Sequence, residues 1–282
     1  MNFRSVRKKI KTISNVKKIT KAMQMVSAVK MKKSQEKAVN GKLYRESLFD
    51  IVDEIIASGN SIDLPISKIN QTKKYLAIVI TSNKGLCGSF NANIIRFVDK
   101  DVDYQTTDFL IVGKKGMQFL TKIKANIIAD FTNEDATSIA SSIFTFVEEK
   151  YLSGLYGNVA LYYNNFISTS KYNPNKLSLL PFLISPKTTF GENRVINPHL
   201  LDYHVEPSPE SVLPQLVHDV LIEKIRMAIY DSQASEHSAR MLSMKQATDS
   251  AGEIVGSLTL LRNKLRQTAI TNELLDMIAA TL

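Results

Sequence analysis

Cysteine is nearly absent from this sequence, since Cys87 is the only one among 282 residues. A single thiol excludes an intramolecular disulfide framework and cannot complete a zinc site. No apolar run approaches the roughly 20 residues that cross a bilayer, and no secretory signal or tandem repeat is visible. We therefore expect a protein from a reducing compartment that does not insert into a membrane.

Acidic residues are scarce at one end of the chain. Residues 1–45 contain 14 Lys or Arg and a single acid, Glu36, whereas the net charge of the whole chain is only +9. Positive charge concentrated in this way predicts an acidic partner for that end. Mitochondrial targeting peptides are also basic and acid-poor. This segment, however, has more Lys than Arg, few Ser and a helical pattern that continues to residue 57, so we do not expect one.

Proline is missing from residues 235–282, where apolar residues recur at the three- and four-residue steps of one helix face. A seven-residue spacing typical of a helix packed on a second helix is also present, at Met244, Ala251, Leu258 and Leu265. Ser208 followed by proline is a favourable helix start, although Pro214 would move the start nearer Leu213. A helix from Ser208 would be ~110 Å long, and no globular core needs that length.

Residues 3–57 also lack proline and predict the partner helix, ~82 Å long. Its apolar positions recur about every 3.25 residues, less than the 3.5 of a regular coiled coil, so the apolar band drifts around the helix. From the connectivity, the two terminal helices must be antiparallel. The longer one then projects alone at the far tip and requires a partner protein for its uncovered apolar residues, namely Leu274, Leu275, Ile278 and Leu282.

The middle of the chain changes to strand-like runs rich in β-branched residues, at 75–81, 108–112, 126–131 and 158–163. Helical segments lie between them, most clearly at 135–152, which predicts a parallel sheet covered on both faces. Residues 165–176 are predicted as an exposed loop, and 177–184 as an edge strand because of Pro181.

The predicted architecture is therefore α/β, with a long antiparallel coiled coil of the N- and C-terminal helices and a central Rossmann-like α/β domain. The expected boundaries are an N-terminal helix at 1–58, a linker at 59–74, the α/β domain at 75–207 and a C-terminal helix at 208–282. Ala251, Gly252 and Gly256 are small residues that predict a close approach of the two terminal helices, since each glycine costs about 1 kcal/mol in a helix interior.

Candidate catalytic groups are few. Cys87 follows the first strand, a placement known for nucleophiles, but the Gly-x-Cys-x-Gly spacing and a partnered histidine are missing. A tight turn with a semi-buried thiol is the better interpretation. The glycines around it match neither a Walker loop nor a dinucleotide fingerprint, and the histidines lack metal-ligand spacing. We expect no active site, no metal and no cofactor.

Two alternatives remain open from the residues alone. The Lys-rich first helix could lie along nucleic acid, although apolar residues interleave with its lysines and no aromatic follows Phe3 for base stacking. Alternatively, the α/β region could be a small enzyme carrying helical oligomerisation arms. Salt-dependent DNA binding would favour the first alternative, and turnover lost on Cys87→Ala the second.

Several motifs resemble those of the gamma subunits of F-type ATP synthases. The N-terminal match is Lys18-Ile19-Thr20-Lys21-Ala22-Met23-Gln24-Met25-Val26-Ser27-Ala28. Further matches are Ser82 to Gly88 with Asn91, Tyr203 with Glu206-Pro207, and Ser235 to Met241. The most specific match runs from residue 244 to residue 271. The resemblance covers the whole chain and is strongest at both ends.

This resemblance implies a rotating central stalk that couples proton flow through the membrane ring to ATP synthesis or hydrolysis, without catalytic residues of its own. The implied partners are three alpha and three beta subunits, the epsilon subunit and the membrane c-ring. The implied location is the cytoplasmic side of a bacterial plasma membrane, as a peripheral protein. Implied beta-subunit contacts are Met23, Arg240, Arg266, Gln267, Thr271 and Glu273, and implied contacts of the foot with the ring and epsilon are Tyr203 and Glu206.

Three positions depart from the family pattern. Asn83 replaces an aspartate before the glycine turn, Arg262 stands where an aromatic is common, and Leu265 replaces a small residue before Arg266. The family's regulatory cysteine insert is absent, so thiol control is not expected. Inside an acidic collar, an asymmetric basic shaft would contact each beta subunit differently, which is how three identical partners could be held in different states.

Overall fold

The computed structural model describes residues 3–57, 64–132, 138–182 and 205–281. Its elements in chain order are α1 (Phe3–Asn40), α2 (Lys42–Ala57), a 3-10 turn (Pro65–Ser67), β1 (Tyr75–Ile80), α3 (Phe90–Asp101), β2 (Thr107–Val112), α4 (Lys114–Lys122), β3 (Ile127–Asp130), α5 (Ile139–Leu152), β4 (Asn158–Ser168), β5 (Lys171–Leu180) and α6 (Pro209–Thr281).

The central sheet has the strand order β3-β2-β1-β4-β5. The first four strands are parallel, and β5 pairs antiparallel with β4. β1 is buried almost throughout, as its continuous apolar run predicts. One face of the sheet packs on α2, α5 and the first part of α6, and the other face packs on α3 and α4. The Rossmann-like α/β prediction is therefore confirmed.

The prediction of a loop at residues 165–176 is wrong. β4 continues to Ser168 and β5 begins at Lys171, so the two strands form an antiparallel hairpin. The polar residues that suggested a loop lie largely exposed on an edge strand, where polar side chains and Pro174 are tolerated. β5 does lie at the sheet edge, as predicted, but it ends at Leu180.

The predicted unbroken helix over residues 3–57 is interrupted at Gly41, which separates α1 from α2. The buried side chain of Arg45 reaches back and donates a hydrogen bond from Nη2 to the carbonyl oxygen of Ala38, at 2.6 Å. A Cβ at position 41 would lie 2.6 Å from Nη1 of the same guanidinium. Glycine therefore leaves room for the arginine to satisfy the end of α1.

α6 is continuous from Pro209 to Thr281, which confirms the helix start at Ser208 and Pro209. Ser208 Oγ accepts a hydrogen bond from the backbone N–H of Ser211, at 3.4 Å, as a capping residue does. The later start near Leu213 is wrong. Pro214 lies inside the helix, where its missing N–H removes one hydrogen bond near the helix start.

The predicted antiparallel pairing of the terminal helices is confirmed. Thr248 Oγ1 donates a hydrogen bond to Thr20 Oγ1 at 2.8 Å, and Lys37 Nζ lies 5.6 Å from the ring centre of Tyr230. Residues later in α1 therefore contact residues earlier in α6, so the two helices run antiparallel. The buried residues along this seam are Val6, Ser27, Met31 and Ser34 on α1 with Met244, Thr248 and Ala251 on α6.

The prediction that small residues allow a close approach of the two helices is confirmed at Ala251 and Gly252. Ala251 is buried in the seam, and a Cβ at Gly252 would lie 3.1 Å from Lys17 Nζ. Gly256, in contrast, has nothing within 4 Å of a Cβ. It lies off the Met244–Ala251 line of contact, so the prediction is wrong at this position.

Candidate partner-binding surface

The glycine turn that follows β1 is a packed structural element. Cys87 is 2% exposed, and Asn91 Nδ2 donates to its sulfur at 3.3 Å. Gly88 has a φ of +56°, and a Cβ there would lie 2.9 Å from Ser243 Oγ on α6. The glycine is therefore required by a left-handed turn that sits against the long helix. These contacts agree with the interpretation of a tight turn.

The crevice at the carboxyl ends of β1 and β4, where a doubly wound sheet would bind a ligand, is covered by α6. Ser235 Oγ donates to the backbone oxygen of Asn164 at 3.2 Å, and Ser238 Oγ donates to the backbone oxygen of Thr169. Within the described residues, no group of His, Cys, Asp and Glu is arranged to hold a metal ion. No described helix is both long and apolar enough to cross a bilayer.

A cleft of about 630 Å³ lies between α1, the turn after β1 and α6. Its lining brings together Met23 and Arg240, the two residues expected at the same level of the shaft. The side chains of Val26 and Leu86 at its rim are 56% and 61% exposed. The cleft therefore presents apolar side chains at its rim and cationic and acidic groups inside.

Arg240 uses its guanidinium within the chain and is 7% exposed. Its Nε donates to the carbonyl oxygen of Gly85 at 3.1 Å, and its Nη2 donates to that of Lys84 at 2.9 Å. The same Nη2 lies 2.7 Å from Glu236 Oε1, one helical turn earlier. Its Nη1 lies 3.3 Å from His237 Nδ1. The arginine thus fastens α6 to the turn after β1.

The electrostatic surroundings of Arg240 match this arrangement. Burial, reinforced by Arg240 and Lys30, lowers the pKa of His237 to about 4, so the imidazole is neutral near pH 7 and can accept from the arginine. Burial raises the pKa of Glu236, while Arg240 and Lys30 oppose that rise. The carboxylate therefore depends on its cationic neighbours for its charge.

The far end of α6 is uncovered, as predicted. Every residue from Arg266 to Ile278 is exposed, and Leu274, Leu275 and Ile278 are 50%, 58% and 58% exposed. Leu282 lies outside the described residues. Helical spacing aligns the exposed residues in two adjacent rows, namely Arg266, Ile270, Glu273 and Met277 in one and Gln267, Thr271, Leu274 and Ile278 in the other.

Apolar side chains are also left exposed along α1, because α6 covers one side of it. Val16, Ile19, Val26 and Val29 are 46%, 59%, 56% and 69% exposed. This is the outcome expected of a drifting apolar band beside a single neighbour. Lysines lie between these residues, so the exposed side of α1 is both apolar and basic.

At the opposite end of α6, Glu206 is exposed just before the helix begins. Tyr203 lies outside the described residues. The structure therefore brings Met23 and Arg240 together, groups Arg266, Gln267, Thr271 and Glu273 on the uncovered tip, and separates Glu206 from both. Which partners these residues contact stays a prediction.

Sequence reasoning missed two half-buried charged side chains on α6. Asp231 on α6 has its pKa raised to about 6 by burial, which Arg45 opposes. Lys224 has its pKa lowered to about 8 by burial, opposed by Asp53. The sequence does contain one usable signal for the Arg240 cluster, because Glu236 and Arg240 are spaced as an i, i+4 ion pair.

The coiled coil and its bare apolar end define a shaft-like subunit, one whose free surfaces other chains must cover. The family model for ATP synthase matches residues 2–281. The chain is 33% identical to the ATP synthase gamma chain of Pelotomaculum thermopropionicum, over 98% of this chain and 97% of that one. It is 36% identical to that of Polynucleobacter asymbioticus, over 98% and 96% of the two chains. The chain belongs to the ATP synthase gamma-chain family.

Solved structures with a similar fold come from the same enzyme. A chain from the central stalk and c-ring structure of the Tetrahymena thermophila mitochondrial ATP synthase is 27% identical, with a TM-score of 0.56 over 81% of this chain and 99% of that one. A chain from the Euglena gracilis mitochondrial ATP synthase has a TM-score of 0.70 at 17% identity, over 99% and 93% of the two chains. The second likeness concerns the fold alone.

Proposed function

We propose that this chain is the rotating central-stalk subunit of a proton-translocating ATP synthase, and that it carries no active site of its own. Rotation driven by proton flow would turn the shaft inside a ring of three alpha and three beta subunits, and ATP hydrolysis there would turn it in reverse. The observation that carries the proposal is the α1–α6 rod with its uncovered apolar end from Arg266 to Ile278.

The partners follow from the two ends of the rod. The uncovered tip, with Arg266, Gln267, Thr271 and Glu273, would be enclosed by the alpha and beta subunits. The exposed basic and apolar side of α1, including Met23, would face the acidic part of each beta subunit in turn. Glu206, at the opposite end, would lie near the epsilon subunit and the c-ring.

Coupling in this proposal requires asymmetry of the shaft. A ligand or partner shifts a conformational equilibrium only by its differential interaction with the two states. The exposed apolar residues of α1 follow no single face and α6 covers only one side, so each beta subunit would meet a different surface at a given rotary angle. The difference in contact would hold the three nucleotide sites in different states.

Co-purification tests the proposal directly. The chain would be expressed with alpha and beta subunits of a bacterial relative, and the expected product is one copy of the chain per three-plus-three ring. Absence of any ring association would overturn the proposal. Retention on DNA with a steep salt dependence, in place of ring association, would instead favour the nucleic-acid alternative.

We also propose a peripheral location on the cytoplasmic side of a bacterial plasma membrane. The relatives named above are bacterial chains of similar length, which supports this location. The chain should sediment with membranes as part of the assembled enzyme and be released by washing at low ionic strength. Sedimentation that resists such a wash and yields only to detergent would argue against a peripheral attachment.

A further inference from the structure

The turn after β1 is joined on one side to α6 and on the other side to the rest of the sheet. On the helix side, Arg240 donates to the carbonyl oxygens of both Lys84 and Gly85. On the sheet side, Asn83 Oδ1 accepts from the backbone N–H of Lys114 at 3.2 Å, and Asn83 Nδ2 donates to the carbonyl oxygen of Thr132 at 3.4 Å. The turn therefore links the long helix to the loops that follow β2 and β3.

The same turn is held in a conformation that needs support. Leu86 and Gly88 have φ angles of +62° and +56°, and a non-glycine residue in the left-handed region costs about 1 kcal/mol or more. Ser82 Oγ donates to the carbonyl oxygen of Lys84 at 2.8 Å. Arg240 adds two charge-assisted bonds to neighbouring carbonyls, and such bonds are worth roughly twice neutral ones.

The guanidinium is itself fixed in place. Glu236 lies 2.7 Å from Nη2, and His237 Nδ1 lies 3.3 Å from Nη1. With the two carbonyl oxygens, these partners occupy every nitrogen of the planar fork, and only 7% of the residue is exposed. A lysine could not make this set of contacts, because it has a single nitrogen with no fork.

We propose that Arg240 is a positioning residue that locks the α/β domain to the shaft through the turn at Lys84 and Gly85, so that the two rotate as one body. The proposal rests on the rotor function proposed above and assigns Arg240 a role inside the chain, where the family resemblance implies a contact with a beta subunit. Without the lock, the turn after β1 would no longer be held to the shaft, and torque would reach the α/β domain only through the remaining contacts of α6 with the sheet.

A disulfide across the same joint separates the two roles. A Cβ at Gly88 would lie 2.9 Å from Ser243 Oγ, so cysteines at positions 88 and 243 are placed for a disulfide between the turn and α6. Cys87→Ala provides the background, so that no other thiol competes. The oxidised form of each variant is compared with its own reduced form. The strain of a cysteine at the left-handed position 88 is present in both forms and does not affect the comparison.

Two quantities would be measured on the assembled enzyme, the protons pumped per ATP hydrolysed and the amide hydrogen exchange of residues 83–88. Arg240→Gln and Arg240→Lys should each lower pumping per ATP severalfold with ATP hydrolysis retained. They should speed exchange in the turn by roughly tenfold or more, since two charge-assisted bonds are lost. Adding the disulfide formed by Gly88→Cys and Ser243→Cys should restore both, and reduction should abolish the rescue.

Arg266→Gln is the matched control, because Arg266 is an exposed arginine on the same helix. It should leave exchange at residues 83–88 unchanged, and the disulfide should not rescue any loss of pumping that it causes. Low pumping that persists in Arg240→Gln after the disulfide has formed would overturn the proposal and assign Arg240 to a partner contact. So would unchanged exchange in the turn.

Failure of the rotor function gives a different result. If the wild-type chain does not join the ring at all, the proposed function is wrong, whereas exchange at residues 83–88 of the purified full chain still reports whether Arg240 holds the turn. Faster exchange in Arg240→Gln under those conditions would show that Arg240 holds the turn to α6. The proposed role of that contact in transmitting torque would then be wrong together with the rotor function.

Discussion

At the scale of single residues, Asp231 and His237 lie less than two turns apart on α6 and respond to burial in opposite directions. Burial raises the pKa of Asp231 to about 6 and lowers the pKa of His237 to about 4. Arg45 faces the aspartate and limits its rise, whereas Arg240 and Lys30 add to the fall at the histidine. Their effects on stability therefore oppose each other over the same range of pH.

The signs follow from proton linkage. Between about pH 4 and 6.5 the unfolded chain binds the histidine proton and the folded chain does not, so His237 makes stability fall as pH falls. Between about pH 4 and 6 the folded chain holds the aspartate proton more tightly, so Asp231 makes stability rise as pH falls. The contributions of these two groups therefore largely offset each other across this range.

Asp231→Asn should therefore steepen the acid loss of unfolding free energy between pH 7 and 4 by about 1–2 kcal/mol, because it removes the opposing contribution. His237→Gln should flatten or reverse the loss. Urea unfolding of the purified chain at several pH values measures both. Curves for wild type and both variants that stay parallel between pH 7 and 4 would show that neither group titrates differently on folding.

Met23→Lys should impair coupling in the assembled enzyme. Met23 is half-buried at the cleft between α1 and α6, where the proposed function has it face the acidic part of each beta subunit, and a lysine there would add a charge contact to that part. The protons pumped per ATP hydrolysed should fall while hydrolysis continues.

Met25→Lys is the control for this substitution, because Met25 is 59% exposed and does not line the cleft. Its pumping per ATP should stay close to wild type. Unchanged pumping per ATP in Met23→Lys would refute the role given to Met23.

The residue scale also shows what a sequence can and cannot predict. The motif predicted that Arg240 lies at the same level of the shaft as Met23, and the two residues do line one cleft. The direction of its side chain did not, because the carbonyls of Lys84 and Gly85 that hold it are remote along the chain. Periodicity reports which face of a helix is apolar, but it carries no information about backbone acceptors brought in by the fold.

At the scale of elements, long helices and buried strands were predictable because their periods are sustained over many residues. Two local choices were not. The β4–β5 hairpin was predicted as a loop because edge strands carry the polar residues of loops. The break at Gly41 depends on Arg45 reaching the carbonyl oxygen of Ala38, a tertiary detail that a helix-favouring composition hides.

Two glycine substitutions should have opposite effects on the stability of their elements. Gly256→Ala should raise the free energy of unfolding by about 1 kcal/mol, because the position is helical and open. Gly113→Ala should lower it by more than about 2 kcal/mol, because its φ is +112° and a Cβ would lie 2.2 Å from the carbonyl oxygen of Thr81. Urea titrations followed by circular dichroism measure both. Equal effects of the two substitutions would contradict this reading of their surroundings.

At the scale of the whole molecule, substitutions in the uncovered tip should weaken assembly with the ring without changing the stability of the isolated chain. Replacing Leu274 and Leu275 together by Asn should change the unfolding free energy of the isolated chain by less than about 0.5 kcal/mol, since both are exposed. The same change should weaken association with the alpha and beta ring by roughly tenfold or more, because apolar area that the ring would cover is lost.

Leu260→Asn is the comparison for the tip variant, because Leu260 is 72% exposed on the part of α6 that runs beside α1. Its effect on ring association should be smaller, and analytical ultracentrifugation with fluorescent chain can rank the two. Equal losses from the tip and from position 260 would argue against the tip as the enclosed end.

The pairing of α1 with α6 also sets a timetable for biosynthesis. The two threonines that meet across the seam, Thr20 and Thr248, are separated by 228 residues of chain. At ribosomal speeds of ~5–20 residues per second, α6 is synthesised on the order of ten to fifty seconds after α1. During that time, the many lysines of α1 should oppose association through its exposed apolar side chains. We therefore expect the positive charge of the first helix to keep the nascent chain soluble before it assembles with its partners.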